Sequence, residues 1–225
     1  FSPKLALKGI SIPKSCNYNL PSNIKLDYAN LYIRGLSFSP LGLSFKLSTE
    51  ILGNKLEAFI IPSFTNISVL LESPSRNGKF LGQENSFNLK SLSKFIPIVS
   101  LSGDITISTL FLQLGYDGSI KDLAFNLASK NFKVPTQSIV GFKLEQIQIN
   151  SILLQATQTA KNKIKINKFT LGDEKSPLIS NFTGDLKLNQ RYLKSSKVNL
   201  KGELAVGKEL TSQIFIIDSF LKRAR

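Results

Sequence analysis

The sequence predicts a mainly β protein: an elongated, curved antiparallel sheet, a half-open barrel or groove, of about ten or more strands with short helices at its ends. Two observations predict it. Apolar residues recur at every second position along most of the chain, as where Leu43, Phe45 and Leu47 alternate with Ser44, Lys46 and Ser48. Three stretches also read almost alike: Ser102-Gly103-Asp104-Ile105-Thr106-Ile107, Thr183-Gly184-Asp185-Leu186-Lys187-Leu188 and Lys201-Gly202-Glu203-Leu204-Ala205-Val206. In each, the glycine frees the backbone for a turn. The acid then points to water, and an apolar–x–apolar step lays the next side chains on a core face.

Residues 1–23 hold Pro3, Pro13 and Pro21 and read as an irregular lead-in. Ile24, Leu26 and Tyr28 then interleave with Lys25 and Asp27, and Leu31 and Ile33 follow before Gly35. Strands are predicted over 43–47, 56–61 and 67–71, with Asn77-Gly78 as a hairpin turn. Between 85 and 99 the spacing of Phe87, Leu89, Leu92, Phe95 and Ile96 favours a short helix ending before Pro97.

The second half is more regular. A strand over 105–112 leads to a turn at Asp117-Gly118, then Leu123, Phe125 and Leu127 alternate, and Phe132 and Val134 run into Pro135. Phe142, Leu144, Ile147 and Ile149 continue with one phase slip, read as a bulge. Strands over 152–156, 164–169, 186–188 and 198–200 complete the series. From 209 the period lengthens: Leu210, Ile214, Ile217 and Leu221 make one face of a C-terminal helix over 209–225. No low-complexity linker interrupts the chain, so 1–225 reads as one β-rich domain.

At 225 residues the chain is long enough to bury a core without a disulfide or metal. The single Cys16 excludes an intramolecular disulfide and a multi-cysteine metal site, and is read as a small inert residue. No apolar run approaches the about 20 residues of a membrane-spanning helix. Phe1 in place of a starting methionine leads us to expect a targeting or anchoring segment upstream. The net charge is +14, with 14 of the 29 Lys and Arg in residues 161–225, a balance that favours anionic partners.

The absence of histidine removes the usual general base, Ser-His and Cys-His nucleophile pairs and most zinc sites. The acids fall after the repeat glycines (Asp104, Asp185, Glu203) or in loops (Asp117, Asp173, Glu174), where solvated turn carboxylates are the simpler reading than paired catalytic acids. No glycine-rich phosphate cradle and no Gly-x-Ser-x-Gly elbow occurs. We therefore expect no enzyme, no catalytic residue, no cofactor and no metal.

Lysines carry more information. Lys163 and Lys165 alternate with Ile164 and Ile166, Lys187 lies between Leu186 and Leu188, and Lys197 and Lys201 flank Val198 and Leu200. In strands all five point away from the apolar face. They form either a soluble, aggregation-resistant face or a surface for an anionic membrane or partner. Phe45, Phe125, Phe142 and Phe169 take the opposite phase and are candidates for an apolar groove. Because phenylalanines and lysines fall on opposite faces, no nucleic-acid platform is expected.

The segment 164–169, Leu171-Gly172-Asp173, Phe182-Thr183-Gly184-Asp185-Leu186-Lys187-Leu188, 195–200 and Gly202-Glu203-Leu204 resembles the C-terminal half of type II secretion system protein N, the GspN family. The run 1–45 is similar in pattern, and the Gly-x-Leu-x-Leu units also resemble AsmA-like and lipid-transfer β-sheet proteins. The resemblance implies a periplasmic domain anchored in the inner membrane by an N-terminal segment absent from this chain. It further implies an accessory role in protein transport, with other secretion-system subunits as partners and no catalytic residues. The alternative is a lipid-binding or lipid-transfer module whose groove takes acyl chains and meets lipid or a membrane surface.

Overall fold

The computed structural model describes residues 3–12, 24–51, 53–71, 73–74, 80–81, 85–94, 100–117, 119–139, 142–189, 195–208 and 210. Among the described residues sixteen strands follow one another: β1 (Lys4–Ile12), β2 (Ile24–Phe38), β3 (Leu41–Ile51), β4 (Asn54–Pro62), β5 (Asn66–Leu70), β6 (Ser73–Pro74), β7 (Phe80–Leu81) and β8 (Asn85–Asn88). After a 3-10 helix (Leu89–Lys94) come β9 (Asp104–Gly115), β10 (Ile120–Val134), β11 (Gln137–Ile139), β12 (Phe142–Leu144), β13 (Ile147–Ala160), β14 (Lys163–Leu171), β15 (Leu178–Lys187) and β16 (Lys197–Val206).

Twelve of these strands form one antiparallel sheet in the order β1-β2-β3-β4-β5-β9-β10-β13-β14-β15-β16, with β8 beside β9. The sheet is not closed: β1 and β16 are its two edges. β5 is short, and β8 continues its line beside β9, pairing Asn85 with Ile107 while β5 pairs Leu70 with Phe111. Asn85 also bridges to β4. Its Nδ2 donates to the Glu57 carbonyl at 3.0 Å, and its Oδ1 accepts from the Glu57 N–H at 2.7 Å, as a neighbouring strand would.

Because residues paired across strands share a face, the register defines two surfaces. One carries cross-strand rows that are apolar apart from a glycine. Ile33, Phe45, Ile60, Val69, Leu112 and Leu123 are successive partners from β2 to β10. Leu110, Phe125, Ala156, Ile166, Gly184 and Leu200 run from β9 to β16. The other surface is mostly Lys, Ser, Thr and Asn, although a small buried cluster of Phe59, Ile61 and Leu70, with Phe111 against it, interrupts it.

The strands also define two ends. At one end, the base, a closed core forms on the apolar face: Leu89, Phe132, Ile147, Ile149 and Leu210 are buried, with Ile105, Ile152, Leu171, Leu178 and Val206 packed around them. At the other end, the tip, lie the β2–β3 turn, the β4–β5 loop, the β9–β10 turn, the β13–β14 turn and the strand ends Lys187 and Lys197.

Four expectations change. Residues 4–12 of the expected irregular lead-in form β1, because alternating Leu5 and Leu7 pair with Leu31 and Ala29 of β2. The rest of the lead-in, including Cys16, lies outside the described residues. Gly184 and Gly202 stand inside β15 and β16 rather than at turns: the neighbouring strand approaches each so closely that a Cβ would overlap an Asn199 or Asn181 carbonyl. Only Gly103 opens its strand, with φ +118.

Phe142 does not belong to the long sheet. Pro135 has no N–H to extend the ladder of β10, and the chain makes a separate hairpin in which Phe142 pairs with Ile139 before β13 begins. The phase slip reads that interruption and not a bulge. The side chain of Phe142 lies outside the described residues, as do Asn77, Gly78 and the expected helix beyond Leu210.

Candidate functional site

Three of the four phenylalanines singled out for a groove share one surface. Phe45 stands in the first apolar row and Phe125 in the second, and Phe169 stands in a third formed by Ile107, Leu127, Leu154, Phe169 and Phe182. The Phe169 and Phe182 rings stack tilted, 6.2 Å between centroids. Period two places these side chains on one side, and antiparallel pairing aligns them across strands.

This surface is covered unevenly. Toward the base it disappears under the closed core. Across the middle, Phe45, Val69, Leu112, Phe125, Leu127, Leu154 and Phe169 are only half-buried, and at β16 Val198 and Leu204 are exposed. Ser129 and Ser180 are polar positions in a row with Ile105, Ile152, Leu171 and Leu204. Both are buried, and their hydroxyls have no hydrogen-bond partner among the described residues.

All five lysines project from the opposite surface and are exposed. Lys163 is opposite Lys187, and Lys187 is opposite Lys197, which makes a row of three like charges over β14, β15 and β16. Like charges placed directly opposite destabilise a sheet. Asp185 offsets part of this, 3.6 Å from the Lys163 Nζ, but both side chains are about half exposed, so the pair contributes little. Lys165 is opposite Asp185, and Lys201 is opposite Thr183.

The carboxylates do not converge. No group of three or more His, Cys, Asp or Glu among the described residues is placed to hold a metal ion. Hydrogen bonds from the Ser119 side chain and backbone hold Asp117 below the ordinary carboxylate range. Asp173 is lowered as well, first by the Asn150 amide at 3.0 Å and then by the Ser176 hydroxyl at 2.8 Å. A general acid needs its pKa raised, so neither turn is tuned for that role.

Sequence reasoning missed a feature at the tip. The β2–β3 hairpin leans on the end of β4, where a Cβ on Gly42 would stand 2.5 Å from the Pro62 carbonyl oxygen. Between them a notch of about 640 Å³ is lined by Pro40, Leu41, Leu43, Pro62 and Phe64. Its one sequence signal was the density of apolar residues beside Pro40 and Pro62, at positions where a turn is ordinarily polar.

No family model, curated protein or solved structure matches this chain. No helix among the described residues is long and apolar enough to cross a membrane.

Proposed function

We propose that this protein is a non-enzymatic lipid-binding module that lays acyl chains on the apolar face of its sheet. The observation that carries the reading is the run of apolar rows from β2 to β16, half-buried across the middle of an unclosed sheet. The ten strands from β2 to β16, about 4.8 Å apart, give a path on the order of 43 Å across the sheet. A path that long and that apolar suits extended hydrocarbon better than a compact polar ligand. Curvature of the sheet into a half-open groove is part of this proposal, since it would shelter the chain on both sides.

Magnitude selects long chains. Each methylene removed from water contributes ~0.8 kcal/mol, so eight of them give about 6 kcal/mol. That is of the order of the association cost of 4–15 kcal/mol, so short acids gain too little and long acyl chains are favoured. Native mass spectrometry of the purified chain, and titration with a fluorescent long-chain fatty acid, test the reading. Recovered lipid and saturable binding that falls in Phe125→Asp support it. Absence of both overturns it.

A second reading is an accessory subunit of a type II secretion system, in a periplasmic domain anchored in the inner membrane from upstream. The edges β1 and β16 favour it, since among the described residues neither has an outer partner, and such an edge offers N–H and C=O groups for strand addition by a partner. Co-purification with secretion subunits that is lost on Leu200→Pro supports this reading. Purification without them argues against it.

A further inference from the structure

We propose that the tip of the sheet is a membrane-docking rim that recognises an anionic phospholipid bilayer. The inference stands on the tip alone and does not require the apolar face to hold lipid.

The most exposed large apolar side chains among the described residues are at the tip, although Leu5 on the β1 edge (57%) and Leu204 toward the base of β16 (45%) are exposed as well. Leu36 (72%), Phe38 (67%) and Leu41 (68%) crown the β2–β3 hairpin, and Phe64 in the β4–β5 loop is fully exposed. Tyr116, in the turn after β9, and Val198, at the start of β16, are more than half exposed at the same end. Among the described residues, no base loop carries an exposed large apolar side chain. Scattered exposed apolar residues are ordinary, whereas a concentration on successive loop tips marks an interaction surface.

The second observation is charge at the same end. Lys121, Lys161, Lys163, Lys187 and Lys197 lie at or beside the tip, on the β10–β16 half, while Leu36 to Tyr116 occupy the β2–β9 half. Lys163, Lys187 and Lys197 are held opposite one another despite their repulsion. Of the three acids nearby, Asp117 is turned onto Ser119 and Asp185 onto Lys163, while Asp122 remains at the start of β10. A headgroup layer satisfies both halves. Anionic phosphates relieve the lysine row, and phenyl and leucyl tips reach the acyl boundary while the Tyr116 hydroxyl stays at the interface.

The chain has no tryptophan, so one introduced indole reports its own surroundings. With vesicles of phosphatidylcholine containing phosphatidylglycerol, Phe64→Trp is expected to shift its emission to the blue. Glu174→Trp in the base turn is expected not to shift. Partitioning of Lys163→Gln/Lys187→Gln/Lys197→Gln should fall about 100-fold, from ~1 kcal/mol per lysine near an anionic surface. Leu36→Ser/Phe38→Ser/Leu41→Ser should lose the binding that survives high salt.

Circular dichroism of each variant separates lost docking from lost folding, and fully exposed Phe64 gives a substitution that leaves packing untouched. Unchanged Phe64→Trp emission overturns the proposal. So does an equal shift in Glu174→Trp, or equal binding to vesicles of phosphatidylcholine alone. Phe125→Asp, on the apolar face, should dock like the wild type even where it loses fatty acid, which keeps failure of this proposal distinct from failure of the lipid-binding reading.

Discussion

Phe182 lies directly opposite Gly202 on the neighbouring strand, and the phenyl Cδ1 comes within 2.8 Å of where a Cβ on that glycine would stand. The aromatic ring occupies the space that the missing side chain leaves, and its other side meets Phe169. Glycine inside a strand costs entropy and packing, and an aromatic neighbour recovers part of that loss. Gly202→Val places a branched side chain against the Asn181 carbonyl and the ring together. We expect a loss of about 1–3 kcal/mol, read as a lower midpoint in urea with an unchanged slope. An unchanged midpoint would mean that β15 and β16 are farther apart than described.

Asn85 acts as a strand partner for β4 through two hydrogen bonds to Glu57 backbone groups, and it is itself buried. Asn85→Ala strips that N–H and that carbonyl of these partners in a partly buried seam. The expected cost is about 1–3 kcal/mol, together with faster hydrogen exchange at the Glu57 amide. If exchange at that amide stays slow in the variant, the staple is not what protects it.

The Glu57 carboxylate tells a different story. It pairs with Lys46 Nζ at 2.9 Å, with side chains 33% and 19% exposed. Glu57→Gln keeps the backbone clamp by Asn85 and removes the ion pair with Lys46. We expect a change of under ~1 kcal/mol that shrinks further in high salt. A thermal melt compared at low and high ionic strength checks this.

Asp173 and Asp117 both have folded-state pKa values lowered by hydrogen bonds, from Asn150 and Ser176 in one case and from Ser119 in the other. The unfolded chain therefore binds protons more readily than the folded one as pH falls below the ordinary value of 3.8. Their contribution is present above that value and is lost as pH drops through the lowered folded values. Asp173→Asn/Asp117→Asn should flatten the acid limb of a melting-temperature profile by lowering the melting temperature near neutral pH, with variant and wild type converging in acid. An acid limb as steep as the wild type's would place the acid sensitivity elsewhere.

Local alternation was legible residue by residue. Ile164 and Ile166 are buried while Lys163 and Lys165 are exposed, as the reading of 163–166 requires. The sidedness of Phe45, Phe125, Phe169 and the five lysines followed from the same rule. Of the short helix expected within 85–99, residues 89–94 form a 3-10 helix, whereas Phe87 stands in strand β8 and 95–99 lie outside the described residues. The repeat glycines misled because Gly-acid-Leu is equally consistent with a turn and with a mid-strand glycine under an aromatic ring. Only the position of Phe182 across the strand tells Gly202 which it is.

The sequence by itself determined that this chain is built of antiparallel strands with a greasy side and a basic side, because a strand's side-chain period of two is a property of the local backbone. Tertiary structure decided what those sides add up to. The register of distant strands aligned the rows, set Lys163, Lys187 and Lys197 against one another, tucked β8 in line with β5 and gathered Phe38, Phe64 and Tyr116 at one end. Each of these depends on pairing between segments far apart in the chain. That pairing is chosen by packing across the whole sheet, which no window of sequence contains.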